Sequence, residues 1–317
     1  MAKLYAIGEA LIDFIPHTKG VALKEVTDFE TQVGGAPANV ASCVAKLGKE
    51  SVMLTQLGQD AFGELIVDTL EETGVDTSHI TRTDEANTAL AFVSLTAEGE
   101  RDFAFYRKPS ADMLMTAEAV QDIPFTRNDI LHFCSVALVP SAMKEAHIAA
   151  IERMTTAGGT IIFDPNLRLP LWPSHAALNE TVKEFMPKAH ILKISDEELS
   201  FITGSSDPAV ISTLFTGLTE VVIYTEGAKG ASIYTKQGKI ASHAGYQVQV
   251  EDTTGAGDAF IGSVIYQLLD KRTVETLIQE ADDILAFSNA VGALTTTKKG
   301  AIHSLPDFND IKKIKGE

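Results

Sequence analysis

The segment Glu251-Asp252-Thr253-Thr254-Gly255-Ala256-Gly257-Asp258-Ala259-Phe260 sets two glycines and a carboxylate at the mouth of an apolar helical run, Ala259 to Leu269. Glycines at 255 and 257 allow backbone angles and close approaches that side chains resist, so several free N–H groups can converge on one anion where the helix begins. Such an anion hole, built from Gly255, Ala256 and Gly257, would cradle a phosphate in transfer. Asp258 falls in the first turn, where its carboxylate can face the same point and take a proton from an attacking hydroxyl. Taken alone, these four residues read equally well as a capped helix start. A second cluster, Gly34-Gly35-Ala36-Pro37-Ala38-Asn39-Val40-Ala41, opens a helix that ends near Leu47-Gly48. Its amides and Asn39 could bind hydroxyls, although Pro37 is also ordinary punctuation for a first helical turn.

Several other chemistries lack their signatures. Phe260 stands where G-x-G-x-x-G needs its last glycine, which counts against a dinucleotide-binding dehydrogenase, and no G-x-x-x-x-G-K-[ST] phosphate loop occurs. The histidines at 17, 79, 132, 147, 175, 190, 243 and 303 are scattered, without zinc spacing, and are expected to be satisfied or exposed.

Apolar runs of strand length alternate with helical segments through most of the chain, which predicts an α/β fold with a mostly parallel sheet under crossover helices. Strands are expected at Leu4–Ile7, Ser51–Leu57, Ile130–Val136, Thr160–Asp164, Ile191–Ser195 and Val221–Thr225. The clearest helix is Ala61 to Thr73, with Phe62, Leu65, Ile66, Thr69 and Leu70 on one face and Gly74 at the C-terminal cap. Two stretches break the alternation, Leu11 to Val33 and Thr88 to Phe105. In the second, Leu90, Phe92, Ser94, Phe103 and Phe105 flank Glu98-Gly99-Glu100 as a hairpin would. Both are read as one small antiparallel sheet, formed by about 11–33 and 88–108, that could act as a lid over a ligand or serve only structure. A third hairpin, Ala231 to Val250 around Gln237-Gly238, is expected to be structural. The whole of 1–317 reads as a single domain.

The 317 residues carry 26 Lys and Arg against 43 Asp and Glu, a formal charge of -17, which argues against nucleic acid or an anionic membrane as the main partner. With two cysteines, Cys43 and Cys134, no disulfide framework can form. The N-terminal residues lack a targeting pattern and no apolar run reaches membrane-spanning length, so a cytoplasmic protein is expected.

Gly34 to Ala41 together with Asp252 to Asp258 resembles the paired signatures of the ribokinase-like (PfkB) carbohydrate kinases, and the similarity spans nearly the whole chain. Phe105 to Leu114, Phe163 to Trp172 and Lys193 to Glu198 resemble the fructokinase branch of that family in particular. The resemblance implies a three-layer α/β/α fold with a small β-sheet lid, and transfer of the ATP γ-phosphoryl group to a sugar with Asp258 as general base. It implies fructose as acceptor, with 2-keto-3-deoxygluconate, ribose or a non-catalytic sugar sensor as alternatives. Asp13, Gly34, Gly35, Asn39 and Arg107 would bind the sugar, and Arg168 would act on sugar oxygens or the phosphoryl group in flight. ATP would lie along Lys193, Thr225, Gly227 and Gly230, with Asn289 near the adenine. Glu198 would meet Mg2+ through water; Ser195 replaces the asparagine of the family's N-x-x-E motif and also reads as a helix cap. Backbone oxygens of Asp252 and Thr254, with 293–300, resemble a monovalent-cation site for K+. The lid is also a candidate homodimer surface.

Overall fold

The computed structural model of the chain describes residues 2–18, 20–95, 101–271 and 273–316. Its strands are β1 Leu4–Ile7, β2 Leu11–Pro16, β3 Phe29–Gly34, β4 Ser51–Leu54, β5 Gln56–Gly58, β6 Thr81–Thr83, β7 Ala89–Leu95, β8 Arg101–Tyr106, β9 Ile130–Cys134, β10 Thr160–Asp164, β11 Ile191–Ser195, β12 Val221–Thr225, β13 Ala231–Thr235 and β14 Gly238–His243. The α-helices are α1 Ala36–Lys46, α2 Ala61–Glu72, α3 Ala142–Ala157, α4 His175–Phe185, α5 Asp196–Thr203, α6 Ala256–Leu268, α7 Thr273–Gln279, α8 Ala281–Thr295 and α9 Phe308–Lys315.

Alternating apolar side chains on the strands fix the layers. In β1, Leu4 and Ala6 enter one core with residues of α1, α2, α6 and α8, while Tyr5 and Ile7 enter the other with residues of α3, α4 and α5. The same split separates Ile162 from Ile161 and Phe163 in β10, and Val221 and Ile223 from Val222 and Tyr224 in β12. A strand apolar on both faces must be covered on both, which gives the helix–sheet–helix sandwich. The sheet has eight strands among the described residues, in the order β14-β13-β12-β11-β10-β9-β1-β4. All pair in parallel except the edge hairpin, β12 to β13 and β13 to β14.

The small sheet, in the order β3-β2-β7-β8, is mixed, not antiparallel. β2 pairs with β3, and β7 with β8, in antiparallel fashion, but β2 and β7 are parallel. Each excursion runs out along one strand and back along the other, and the two outgoing strands lie side by side. The turn at Glu98-Gly99-Glu100 lies outside the described residues. Phe14, Phe29, Phe62 and Phe92 pack their rings together where this sheet meets α2, and Tyr106 joins them through Phe92. Asp60 ties the second excursion to the helix: it caps α2 by accepting from the Gly63 amide at 2.8 Å and also accepts from the Thr88 amide at 2.8 Å.

Three local expectations change. Ser51–Leu57 breaks at Thr55, where the chain leaves the main sheet and pairs with β6 through β5. The strand from Ile130 stops at Cys134 because Ser135–Leu138 winds into a 3₁₀ turn. On α2, Leu65 is exposed, while Gly63, Ile66, Thr69 and Leu70 are buried.

Candidate active site

The glycine turn and Asp258 sit at the head of α6. Gly255 caps the helix at φ 72, and a methyl group there would lie 2.5 Å from the Ala301 side chain, so both conformation and space demand glycine. The Ala256 amide donates to the Thr253 carbonyl at 3.3 Å, whereas those of Gly257 and Asp258 donate to no protein group among the described residues. Two of the three expected N–H groups are therefore free for an anion, with the positive end of a helix behind them. Asp258 is 8% exposed and its carboxylate is held on both oxygens: Oδ2 accepts from Asn39 Nδ2 at 2.8 Å and Oδ1 from Asn166 Nδ2 at 3.4 Å. Burial pushes its pKa above the usual carboxylate range, against the pull of the Asn39 hydrogen bond and the charges of Arg168 and Lys193.

Two cavities meet at this turn. One, of about 360 Å³, is lined by Glu9, Asp13, Gly35, Asn39, Arg168 and Lys193 together with Gly255, Gly257 and Asp258. The other, of about 340 Å³, is lined by Thr225, Gly227, Gly230, Ala256 and Asn289, and by Tyr246 to Val248. Thr253 and Gly257 line both. A hydroxyl in the first cavity and a phosphate chain in the second would thus face each other across the anion hole, with Asp258 on the hydroxyl side. The segment after β14, expected to be merely structural, forms a wall of the second cavity. At the rim of the first, Asp13 packs over Gly34, where an added methyl would fall 2.3 Å from Oδ2.

Lys193 and Asp164 show how the strand ends feed the site. On β11, Leu192 and Ile194 point into one core, so Lys193 faces the other side, toward α6. Its ammonium lies 3.1 Å from the carboxylate of Asp164 at the end of β10. A methyl group on Gly257 would come within 3.4 Å of Lys193 Nζ, so this cation borders the anion hole. Desolvation opposes its charge, but the carboxylates of Asp164, Glu198 and Asp258 outweigh it and hold the ammonium protonated. Lys193 lines the first cavity instead of the second, at the phosphate end of the expected nucleotide path.

Arg168 also lines the first cavity, and its Nη1 donates to the Leu167 carbonyl at 2.9 Å. Arg107 stands behind the wall: it is 4% exposed, ion-paired with Asp112, and donates to the Val136 carbonyl at 3.2 Å. Asn289 lines the second cavity with its amide turned back onto the Leu285 carbonyl at 2.9 Å. Glu198 reaches neither cavity. Its carboxylate accepts from the Ser195 amide at 2.8 Å and the Leu167 amide at 3.3 Å, and Ser195 returns a cap to the Glu198 amide. Ser195 is therefore a helix cap, in a reciprocal box with Glu198. Asp252 and Thr254 belong to a tight loop: Asp252 accepts from the Thr254 amide and from the Gly300 amide, each at 3.0 Å, and its own amide donates to the Thr296 carbonyl at 3.1 Å.

Two polar residues of this site escape a reading by residue type. Asn166 adopts φ 46, which asparagine tolerates better than most, and so turns its amide toward Asp258. Its place inside Asp164-Pro165-Asn166-Leu167-Arg168 was the available signal. Glu9, two residues after β1, is fully buried, and burial raises its pKa to about 7. No spacing marked it. His132, expected to be satisfied or exposed, is buried with neither ring nitrogen partnered among the described residues, and burial drives its pKa down to about 3, leaving it neutral.

A pfkB family carbohydrate kinase model matches residues 1–307. The chain is 41% identical over 314 residues to probable fructokinase-5 of Arabidopsis thaliana, covering 98% of this chain and 96% of that protein. It is 42% identical over 304 residues to fructokinase-2 of Oryza sativa subsp. japonica, covering 95% and 90% respectively. The crystal structure of a Xylella fastidiosa fructokinase with bound ATP is similar at a TM-score of 0.88 and 34% identity, over 98% of this chain and 97% of that one. A Vibrio cholerae fructokinase double mutant, solved with fructose, ADP and potassium ion, is similar at 0.87 and 33% identity, over 99% and 98%.

Proposed function

The chain belongs to the pfkB family of carbohydrate kinases, and from that premise we propose that it transfers the γ-phosphoryl group of ATP to the primary 6-hydroxyl of D-fructose. It is a phosphotransferase that acts on a sugar hydroxyl. One observation carries the assignment of roles: the buried Asp258 carboxylate, steadied by Asn39 and Asn166, sits where the two cavities meet.

In this reading the sugar fills the cavity lined by Asp13, Gly35, Asn39 and Arg168, and ATP lies along Thr225, Gly227 and Gly230 with its adenine toward Asn289. Asp258 takes the proton of the sugar hydroxyl as its oxygen bonds to the γ-phosphorus. The bond from that phosphorus to the β,γ-bridging oxygen breaks, and ADP leaves with the electron pair. The amides of Gly257 and Asp258, the ammonium of Lys193 and the guanidinium of Arg168 face the charge spread over the transferring group. In a chain of formal charge -17, these local cations make the phosphate path favourable.

Divalent metal is a separate matter. No group of three or more His, Cys, Asp or Glu among the described residues could hold an ion, and both oxygens of Glu198 already serve amides. The side chains do not fit a protein-held Mg2+, and Glu198 would meet such an ion only through water. The loop of Asp252 and Thr254, stitched to Thr296 and Gly300, is the proposed K+ site. The small sheet, with about 11–33 and 88–108, is the proposed lid on a single domain, and exposed Tyr106 beside Phe92 makes its outer face the proposed dimer surface. No helix among the described residues is long and apolar enough to cross a membrane, and two buried free thiols suit the proposed cytoplasmic location.

The test is a coupled ADP-release assay over a panel of fructose, ribose, 2-keto-3-deoxygluconate and related sugars, with the product identified. Fructose should give the highest kcat/KM and fructose 6-phosphate. A better acceptor by tenfold or more would replace fructose; sugar binding without ADP formation from any acceptor would replace the kinase reading with a sensor.

A further inference from the structure

Resting on the kinase reading above, we propose that Glu9 is a sugar-binding residue of this enzyme, its carboxylate receiving a hydroxyl of the acceptor. Glu9 lies two residues beyond β1 and lines the same cavity as Asp13, Asn39 and Arg168. It is 2% exposed, and its two oxygens are used unequally. Oε1 accepts from the Ala36 amide at 3.3 Å, at the head of α1, whereas Oε2 has no hydrogen-bond partner among the described residues. A buried carboxylate oxygen left without a donor is costly, and such groups in native proteins generally await one.

The surroundings specify the missing donor. Arg107 attracts Glu9 from behind, but its guanidinium is committed to Asp112 and to the Val136 carbonyl. Asn39 gives its amide to Asp258 and keeps an unpartnered Oδ1. This wall of the cavity thus carries two waiting acceptors, on Glu9 and Asn39, with Arg107 standing behind it. A hydroxyl gives one hydrogen bond and receives up to two, so a polyhydroxylated molecule complements the set. A phosphate would meet two acceptors, one of them a carboxylate, and be repelled. Glu9 therefore belongs to the sugar end of the site, and it reaches that end from β1, whereas Asp13 reaches it from β2.

Glu9→Gln keeps an oxygen for the Ala36 amide while replacing the carboxylate charge; Glu9→Ala removes the cap as well. Steady-state kinetics of both variants, with fructose and with singly deoxygenated fructoses, separate binding from capping. Above pH 7, where Glu9 is ionised, the KM for fructose should rise on the order of 10-fold in Glu9→Gln and 100-fold in Glu9→Ala, from loss of a charge-assisted hydrogen bond. The KM for ATP should stay within about twofold. One deoxyfructose should be bound poorly by the wild type and no worse by Glu9→Gln, identifying the hydroxyl. A normal fructose KM in Glu9→Gln, with loss confined to Glu9→Ala, would make Glu9 a helix cap only and overturn the proposal. Equal losses across all deoxy sugars would overturn it too. Failure of the wild type to phosphorylate any sugar would instead strike the kinase reading, which the same assay records separately.

Discussion

Replacing Asp258 with asparagine separates the chemistry of this site from its architecture. The carboxylate accepts hydrogen bonds at 2.8 Å from Asn39 and 3.4 Å from Asn166. An asparagine at 258 is nearly isosteric and brings one acceptor and one donor. Asn39 carries an unpartnered Oδ1, so a flip of its amide gives the new N–H an acceptor. The substitution also removes a carboxylate whose pKa burial has raised, so at neutral pH the fold should hold its melting temperature or gain slightly. What disappears is the proton acceptor. General-base assistance is worth about 10²- to 10⁴-fold, equivalent to about 3–5 kcal/mol of barrier, and the loss should fall on kcat. ADP release under saturating substrates measures kcat, and calorimetry with fructose alone measures binding. Turnover within tenfold of wild type would refute the base assignment, as would a collapse of sugar binding equal to the loss of rate. Because burial raises the pKa of Asp258, wild-type kcat/KM should fall with acidification through a value above the usual carboxylate range, and the variant's residual rate should lack that limb.

Gly255→Ala forces a side chain into φ 72 and against Ala301; turnover should drop at least tenfold and the melting temperature should fall, since left-handed strain alone costs about 1–2 kcal/mol. Lys193→Met removes the cation 3.1 Å from Asp164 and beside Gly257; initial-rate kinetics should show the loss mainly in kcat, because that ammonium faces the transferring group, and the melting temperature should fall because the buried Asp164 carboxylate loses its partner. Glu9, raised by burial from 4.5 to about 7, favours its protonated form when folded, so its contribution to stability is full below pH 4.5 and is lost as pH rises through about 7. Denaturant titrations should therefore find Glu9→Gln gaining on wild type between pH 5 and pH 8, by up to roughly 3 kcal/mol, with Arg107 and Asp112 as the neighbouring charges that moderate the effect.

The layered fold was legible because strand alternation is a local property. Leu4–Ile7, Thr160–Asp164, Ile191–Ser195 and Val221–Thr225 have their expected bounds, and each splits its side chains between two cores. The turn at Gly255 to Asp258 was legible for a similar reason, since its glycines and its acid act within one helical turn. What depended on distant contacts was not. The parallel pairing of β2 with β7 joins segments some eighty residues apart, and no local pattern chooses between parallel and antiparallel neighbours. The resemblance implies that Arg107 faces the ligand; its partner, Asp112, lies five positions on and holds it behind the wall. Glu9 gave no signal because a lone acid after a strand is commonplace, and only the folded chain shows that one of its oxygens is left waiting.

The loop stitched at Gly300 and Ala301 has a mechanical meaning. Asp252 grips the Gly300 amide, Gly255 is seated against Ala301, and both contacts lie within a few residues of the end of α8, the helix that carries Asn289 into the nucleotide cavity. The Asp258 turn and the Asn289 end of the second cavity are thus bolted to one bracket. Any displacement of α8 would carry the Asp258 turn with it, so the two ends of the proposed site share one support.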